Sequence, residues 1–190
     1  MTRSYKNDLS KFKLSFLKAI KKIEQNYFQL PYADMEIEKR EVYLERVYCY
    51  ELYHQLKISL PECFDYTVNG EVNKSHHKII KSDKIPDFII HNTSQMKDNL
   101  VIIEVKRLYQ INLSENSNSG FVKDMETLNL FVNEYNYKKG IQLIFGRNES
   151  GKMSNLVDKF KYKSSERVDL IWNKEPGKVF YGINDIENHL

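Results

Sequence analysis

The sequence predicts an α/β fold in which a central mixed sheet is flanked by helices. Segments whose apolar residues recur with a helical period alternate with short apolar runs of strand length that are rich in β-branched residues. The run at residues 100–103, Leu-Val-Ile-Ile, has no polar interruption. Such a run is typical of a strand that is covered on both faces, so helices are expected on both sides of the sheet.

The order of the predicted elements is helix, strand, strand, strand, helix, strand (αβββαβ), with an extra N-terminal helix before it. The predicted helices cover about residues 8–29, 37–57, 121–137 and 153–162. The predicted strands cover about residues 64–74, 85–91, 100–106, 141–146 and 167–172, with an extension at 179–181. Gly140 is interpreted as the stop signal of the third helix. The strands at 85–91 and 100–106 are close enough in sequence to pair as a hairpin.

Length and composition predict one domain spanning residues 1–190, because 190 residues with 41% hydrophobic content suffice for a substantial core. No apolar run reaches the roughly 18–20 residues needed to span a bilayer, and the first residues lack the apolar core of a secretory signal. We therefore expect a cytoplasmic protein without a membrane partner. The two cysteines show no metal-ligand spacing. The net charge of +3 permits a polyanionic partner but does not require one.

Charged residues occur at the ends of two apolar strands, where burial makes them costly. Asp87 follows Pro86 at the start of one strand, and Glu104 and Lys106 share one face at the end of the next. Glu51 lies in the part of the second helix that is apolar on nearly every side. It needs a cation, a metal or a wet groove, and an ordinary ion pair with a neighbouring arginine or lysine is the alternative.

This arrangement resembles the core of the PD-(D/E)xK phosphodiesterases, the superfamily of many restriction endonucleases and resolvases. The matching residues are Pro86, Asp87, Glu104 and Lys106, and the resemblance covers about residues 41–146. It implies a restriction-endonuclease-like core. Glu51 resembles the extra acid that many members place beside the metal.

The resemblance implies a nuclease that depends on Mg²⁺ or Mn²⁺. Asp87 and Glu104 would be metal ligands, because hard cations prefer oxygen donors, and the carbonyl of Val105 and the carboxylate of Glu51 would complete the set. Lys106 would orient the attacking water. The catalytic residues are thus predicted as Asp87, Glu104, Lys106 and Glu51, with Glu71 as a weaker candidate for the place of Glu51.

Phosphate contacts are expected from basic residues that flank the predicted cleft in sequence. Family members often use a residue on the helix after the catalytic strand, and Lys123 and Asp124 are the equivalents here. The basic candidates are Lys74, Lys84, Arg107 and Lys123, with Lys78 and Lys81 beside them. The resemblance implies a nucleic-acid partner, DNA in preference to RNA, and admits a homodimer.

Two other interpretations remain open at the level of sequence. The fold could be retained as a catalytically silent module that binds nucleic acid or assembles with protein. Alternatively, the chain could be an unrelated α/β domain in which Glu104 and Lys106 form an ordinary salt bridge. Separation of the Asp87 and Glu104 carboxylates in space would favour the second of these.

Overall fold

A computed structural model describes residues 5–28, 37–71, 84–93, 98–113, 120–148 and 151–190, and only the backbone of residues 37–44. Its helices and strands follow the predicted order, and a short helix at the C-terminal end is added. The helices are α1 (Tyr5–Lys21), α2 (Gln25–Phe28), α3 (Ile37–Ser59), α4 (Gly120–Asn133), α5 (Lys152–Lys163) and α6 (Ile183–Glu187). The strands are β1 (Thr67–Gly70), β2 (Phe88–His91), β3 (Asn99–Arg107), β4 (Tyr137–Phe145), β5 (Val168–Glu175) and β6 (Lys178–Tyr181).

The strands form one mixed sheet in the order β1-β2-β3-β4-β5-β6. The pairs β1–β2, β2–β3 and β5–β6 are antiparallel, whereas β3–β4 and β4–β5 are parallel. The predicted hairpin of residues 85–91 and 100–106 is thereby confirmed. The sheet also continues beyond the predicted core through β5 and β6.

Helices cover both faces of the sheet, as the uninterrupted apolar run of β3 predicts. One core cluster packs α1, α2 and α3 against Val101, Ile103 and Val105 of β3. The other packs α4, α5 and α6 against the opposite face, including Ile102 of the same strand. Because side chains alternate along a strand, Glu104 and Lys106 belong to the α4 face and Val105 belongs to the α3 face.

Helix α3 is held against the sheet by a buried aromatic and polar contact. The ring of Tyr48 stacks on that of Phe145 at the end of β4, with centroids 4.0 Å apart. Its hydroxyl accepts a hydrogen bond of 2.8 Å from the side-chain amide of Asn173 in β5. Burial raises the pKa of the Tyr48 phenol far above its usual value. This contact fixes the part of α3 that stands beside the end of β3.

Several predicted boundaries of helices and strands are wrong. The first predicted helix is interrupted between α1 and α2, so the structure has two helices there. The helix predicted at residues 121–137 is α4, which ends at Asn133. The strand predicted from residue 141 is β4, which already begins at Tyr137. Gly140, interpreted as a helix stop, therefore lies inside β4. Strand β2 begins only at Phe88, after Pro86 and Asp87. Strand β1 spans Thr67–Gly70, and residues 72–74 of its predicted range lie outside the described residues.

Candidate functional site

Asp87 and Glu104 meet where the β2–β3 ladder ends. The ladder pairs Phe88 with Ile103, so the next residues on either strand, Asp87 and Glu104, stand opposite each other. Their side chains form a hydrogen bond with each other. Asp87 Oδ2 also accepts a hydrogen bond of 2.7 Å from the backbone N–H of Val105. Val105 lies on β3, past the point where β3 pairs with β2. The late start of β2 therefore places the Asp87 carboxyl against β3.

Burial dominates the electrostatics of this carboxyl pair. It raises the pKa of Asp87 to about 6, and the hydrogen bond from Val105 opposes that rise. It also raises the pKa of Glu104 well above the usual range, and the charges of Asp87 and Asp124 add to the effect. Two carboxyl groups this close favour sharing one proton, because two negative charges at that distance repel each other.

Lys106 lies between carboxylates from two different helices. Its Nζ is 3.2 Å from Glu45 Oε1 on α3 and 3.8 Å from Asp124 Oδ2 on α4. Burial alone would lower the pKa of Lys106, but the charges of Asp124, Glu45 and Asp87 outweigh it and raise the pKa above its usual value. The lysine is therefore held as a cation.

The acid that α3 contributes is Glu45, which the sequence interpretation missed. In addition to its contact with Lys106, Glu45 Oε2 lies 3.5 Å from the backbone N–H of Arg107, which donates to it. The sequence around Glu45 is rich in charged residues and resembles a solvated helix face. The one usable signal of Glu45 is its position two residues before Val47, where the apolar part of α3 begins.

Glu51, the predicted acid of this helix, is directed elsewhere. Its Oε1 accepts a hydrogen bond of 2.7 Å from Gln55 Nε2, one turn along the same helix. Its charge raises the pKa of the Tyr27 phenol on α2. Six residues separate Glu51 from Glu45, a rotation of about 120° around a helix. Among the described contacts of Asp87, Glu104 and Lys106, the α3 acid is Glu45, so the placement of Glu51 in the site is corrected.

Two further polar side chains complete the buried part of the site. Asp124, which the sequence named as an equivalent on the following helix, has its pKa raised to about 7, mainly by burial. Its buried Oδ2 has no hydrogen-bond partner among the described residues, although it faces Lys106. Gln142 of β4 is the neighbour of Glu104 in the parallel β3–β4 ladder. Its side-chain Nε2 donates a hydrogen bond of 3.3 Å to the backbone carbonyl of Glu104. A glutamine within an otherwise apolar strand is the sequence signal that could have identified Gln142.

The basic residues predicted to contact phosphate do not form one cluster, unlike the acids of the site. Lys84 forms an ion pair of 3.6 Å with Glu126 on α4, and its charge opposes the rise in the pKa of Asp124. The Arg107 guanidinium lies 5.5 Å from the ring centre of Tyr109. Lys123 is exposed on α4. Lys74, Lys78 and Lys81 lie outside the described residues.

Glu71 lies beside the acid pair without joining it through its side chain. Its backbone N–H donates to the Asp87 carbonyl over 3.0 Å, and its carboxylate is 3.9 Å from Arg46. It has a left-handed backbone with φ of 46°, which is uncommon outside glycine. The chain therefore turns sharply where β1 ends, next to Asp87.

An open groove of about 390 Å³ lies on the α3 side of Asp87. Residues of α3, of the end of β1 and of the start of β2 line it. These are Cys49, Tyr50, Tyr53, Asn69, Gly70, Glu71, Asp87 and Phe88.

The donor set of the site suits a hard divalent cation. Asp87 and Glu104 offer carboxylate oxygens at hydrogen-bonding separation, and the buried Oδ2 of Asp124 lacks a hydrogen-bond donor among the described residues. A cation bound by Asp87 and Glu104 would replace the proton between them. Within the described part of the chain, no group of three or more His, Cys, Asp or Glu side chains is already arranged to hold a metal ion. Mg²⁺ commonly completes its shell with water and substrate phosphate.

Comparisons of the chain with models of protein families, with curated protein sequences and with solved structures return no match. None of the helices among the described residues is long and apolar enough to cross a membrane. A function for the chain is therefore inferred from its own side chains and their geometry.

Proposed function

We propose that the protein is a metal-dependent phosphodiesterase of the PD-(D/E)xK type that hydrolyses nucleic acid, with DNA as its substrate. The observation that carries this proposal is the convergence of Asp87, Glu104 and Lys106 at the end of β3. An isolated salt bridge between Glu104 and Lys106 would require neither the Asp87 carboxyl nor the two further acids. Burying several acids together is costly unless cations or bound protons offset their charge.

The order of elements supports the same proposal. From α3 to β4 the chain runs helix, strand, strand, strand, helix, strand, which is the order of the restriction-endonuclease-like core that the resemblance implies. The mixed sheet and the helices on both of its faces agree with that core. The acids also stand at the C-terminal end of β3, the first of three parallel strands, where open α/β sheets commonly place their ligands.

Asp87 and Glu104 would hold the metal ion, with the carbonyl of Val105 as a further predicted ligand. Mg²⁺, or Mn²⁺ in its place, would supply charge neutralisation of the phosphate and a more acidic bound water. The Val105 N–H donates to Asp87 Oδ2 and so holds this carboxyl against β3. Gln142 steadies the β3 backbone at Glu104 from the neighbouring strand.

Lys106 would act as a cation that orients the attacking water and stabilises charge on the phosphate. Glu45 and Asp124 keep its ammonium group charged and hold it from two sides. A fixed cation close to the phosphate lowers the energy of the transition state, in which negative charge accumulates on the non-bridging oxygens. Glu45 and Asp124 are therefore positioning residues.

One observation favours a second candidate function, a catalytically silent module that binds nucleic acid or assembles with protein. Lys106 is already paired with Glu45 and Asp124, and Asp87 with Val105 and Glu104, so the charged groups satisfy one another. A network closed in this way could be structural. It predicts binding without turnover.

A cleavage assay distinguishes the two candidates. Purified protein is incubated with labelled single-stranded and duplex DNA in Mg²⁺, in Mn²⁺ and in excess chelator. We expect metal-dependent cleavage that Asp87→Asn, Glu104→Gln and Lys106→Met each reduce at least about 100-fold, the scale of a lost electrostatic or acid–base contribution. Glu166→Gln and Lys163→Met, which change exposed residues, provide matched controls.

Cleavage that persists in chelator, or in all three site variants, would refute the phosphodiesterase proposal. Binding of DNA without cleavage under any of the metal conditions would instead support the silent module.

A further inference from the structure

The groove beside Asp87 has no role in the proposed chemistry of Asp87, Glu104 and Lys106. It lies between α3 and the β1–β2 edge and shares Asp87 with the carboxyl pair. A substrate whose phosphate reached that pair would therefore place a neighbouring group at the groove.

Two tyrosines on one side of α3 form the apolar wall of the groove. Tyr50 is 66% exposed and Tyr53 is 37% exposed. The Tyr53 ring lies nearly parallel to that of Phe88, with a centroid distance of 6.5 Å and an interplanar angle of 14°. Tyr53 is thus held by the sheet, while Tyr50 offers its ring to solvent. Exposed aromatic faces of this kind are suited to stacking against a flat, apolar partner.

The charge of the groove argues against a phosphate as its occupant. The carboxylic residues in its wall are Glu71 and Asp87, and the lining includes no lysine or arginine among the described residues. The lining therefore offers an anion no basic partner among the described residues, whereas a neutral aromatic ring needs none. Asn69 adds a polar amide to the lining, and its Oδ1 lies 2.9 Å from His91 Nε2.

The size of the groove limits the occupant further. A volume of about 390 Å³ falls near the lower end of small-molecule sites, which span roughly 300–1,000 Å³. It accommodates one base with its sugar. A base inside a duplex is stacked on both faces, so it must leave the stack before a tyrosine can contact it.

We propose that this aromatic groove, formed by Tyr50, Tyr53, Asn69, Glu71, Asp87 and Phe88, binds an unpaired nucleobase adjacent to the phosphodiester that is attacked. This inference rests on the proposed function, because the position of the phosphate is taken from it. It makes the preferred substrate a single strand, or the unpaired part of a branched or frayed DNA.

A binding experiment with a fluorescent base tests the groove separately from catalysis. Glu104→Gln protein, which should not cleave, is titrated in Mg²⁺ against a single-stranded oligonucleotide containing 2-aminopurine and against its duplex. We expect tighter binding of the single strand and quenching of 2-aminopurine fluorescence, because stacking quenches this base. Adding Tyr50→Ala should weaken single-strand binding about 5-fold or more and remove the quenching, whereas Tyr50→Phe should preserve both.

Tyr162→Ala is the matched control, since Tyr162 is an 81% exposed tyrosine on α5 that does not line the groove. Equal binding of duplex and single strand, no detectable binding of either, or quenching that survives Tyr50→Ala would overturn the proposal. The two proposals fail in different ways. Metal-dependent cleavage by wild-type protein that Tyr50→Ala leaves unchanged overturns only the groove. Tyr50-dependent quenching without any cleavage by wild-type protein overturns only the phosphodiesterase.

Discussion

Charge balance at the end of β3 is decided by a handful of side chains. Four carboxyl groups, on Glu45, Asp87, Glu104 and Asp124, surround the ammonium group of Lys106. If all were ionised, the cluster would carry three excess negative charges in a partly buried place. Raised carboxyl pKa values relieve that excess in the metal-free protein, and a bound divalent cation would relieve it without protons.

Glutamine substitutions of the two α3 acids, Glu45 and Glu51, test which of them supports catalysis. We expect Glu45→Gln to lower metal-dependent cleavage about 10- to 100-fold, the usual cost of losing a group that orients a catalytic side chain. Glu51→Gln should remain close to wild type, because Glu51 contacts Gln55 and Tyr27 instead. Initial cleavage rates of the two variants, with circular dichroism to verify folding, give the answer. A larger loss in Glu51→Gln than in Glu45→Gln would contradict the placement of Glu45.

The raised carboxyl pKa values predict how stability depends on pH in the absence of metal. Asp87 and Asp124 hold their protons to about pH 6 and 7 in the folded protein, whereas the unfolded chain releases them near pH 4. Their contribution to stability is therefore complete below about pH 4 and is lost as the pH rises through 6–7. A tenfold difference in proton affinity between the folded and unfolded states corresponds to about 1.4 kcal/mol of stability.

Urea unfolding in chelator at pH 5 and pH 8 measures this dependence. We expect the free energy of unfolding to fall between the two values, and Asp124→Asn to reduce that fall because the amide does not ionise. Asp158→Asn, which replaces an exposed acid on α5, serves as the comparison. If Asp124→Asn and Asp158→Asn showed the same fall, the Asp124 carboxyl would not be the source.

Strand β4 shows how one glycine decides the spacing between two elements. A Cβ atom on Gly140 would lie 3.0 Å from Val168 Cγ2 of β5 and 3.3 Å from Val132 Cγ1 of α4. A side chain at this position would therefore require Val168 and Val132 to shift by a few tenths of an ångström.

Gly140→Ala is expected to lower the free energy of unfolding by about 1–3 kcal/mol, the typical cost of overpacking. Gly70→Ala is the matched control. A Cβ atom there would meet its nearest neighbour, the Asp87 carbonyl oxygen, at 3.5 Å, an ordinary contact. Chemical denaturation of both variants gives the comparison. Equal stability of the two would show that α4 can move away from β4 at little cost.

For the whole molecule, the site brings together side chains from all three layers of the fold. Glu45 comes from the layer on one face of the sheet, Asp124 from the layer on the other, and Asp87, Glu104 and Lys106 from the sheet between them. A ligand that binds this junction stabilises the folded state against unfolding of all three layers.

Thermal unfolding in Mg²⁺ tests this coupling without an activity measurement. If the ion binds only the folded state, a concentration of 100 times its dissociation constant should add about 2.7 kcal/mol of stability. The melting temperature should rise with Mg²⁺ in wild type but not in Glu104→Gln, and NaCl of equal ionic strength should not reproduce the rise. A similar rise in Glu104→Gln would place the bound ion at a different site.

Most of the element order, and the three residues at the centre of the site, could be predicted from sequence alone. Apolar runs and helical periods specify strands and helices locally, and Asp87, Glu104 and Lys106 were recognisable because they are charged residues at the ends of such runs. The acid on α3 could not be predicted in the same way. Glu45 and Glu51 both lie on one long helix, and only the rotation of that helix against the sheet decides which carboxylate reaches Lys106.

Helix rotation depends on contacts between residues far apart in sequence. The stack of Tyr48 on Phe145 and its hydrogen bond from Asn173 fix α3 against β4 and β5, and that contact turns Glu45 toward β3. The packing role of Gly140 likewise could be recognised only once the position of α4 on the sheet was known. The sequence by itself determined the α/β class, the β2–β3 hairpin and the acid–lysine pair, because those depend on neighbouring residues. The tertiary structure decided the Asp87–Glu104 contact, the third acid and the aromatic groove, because each depends on how separate elements pack.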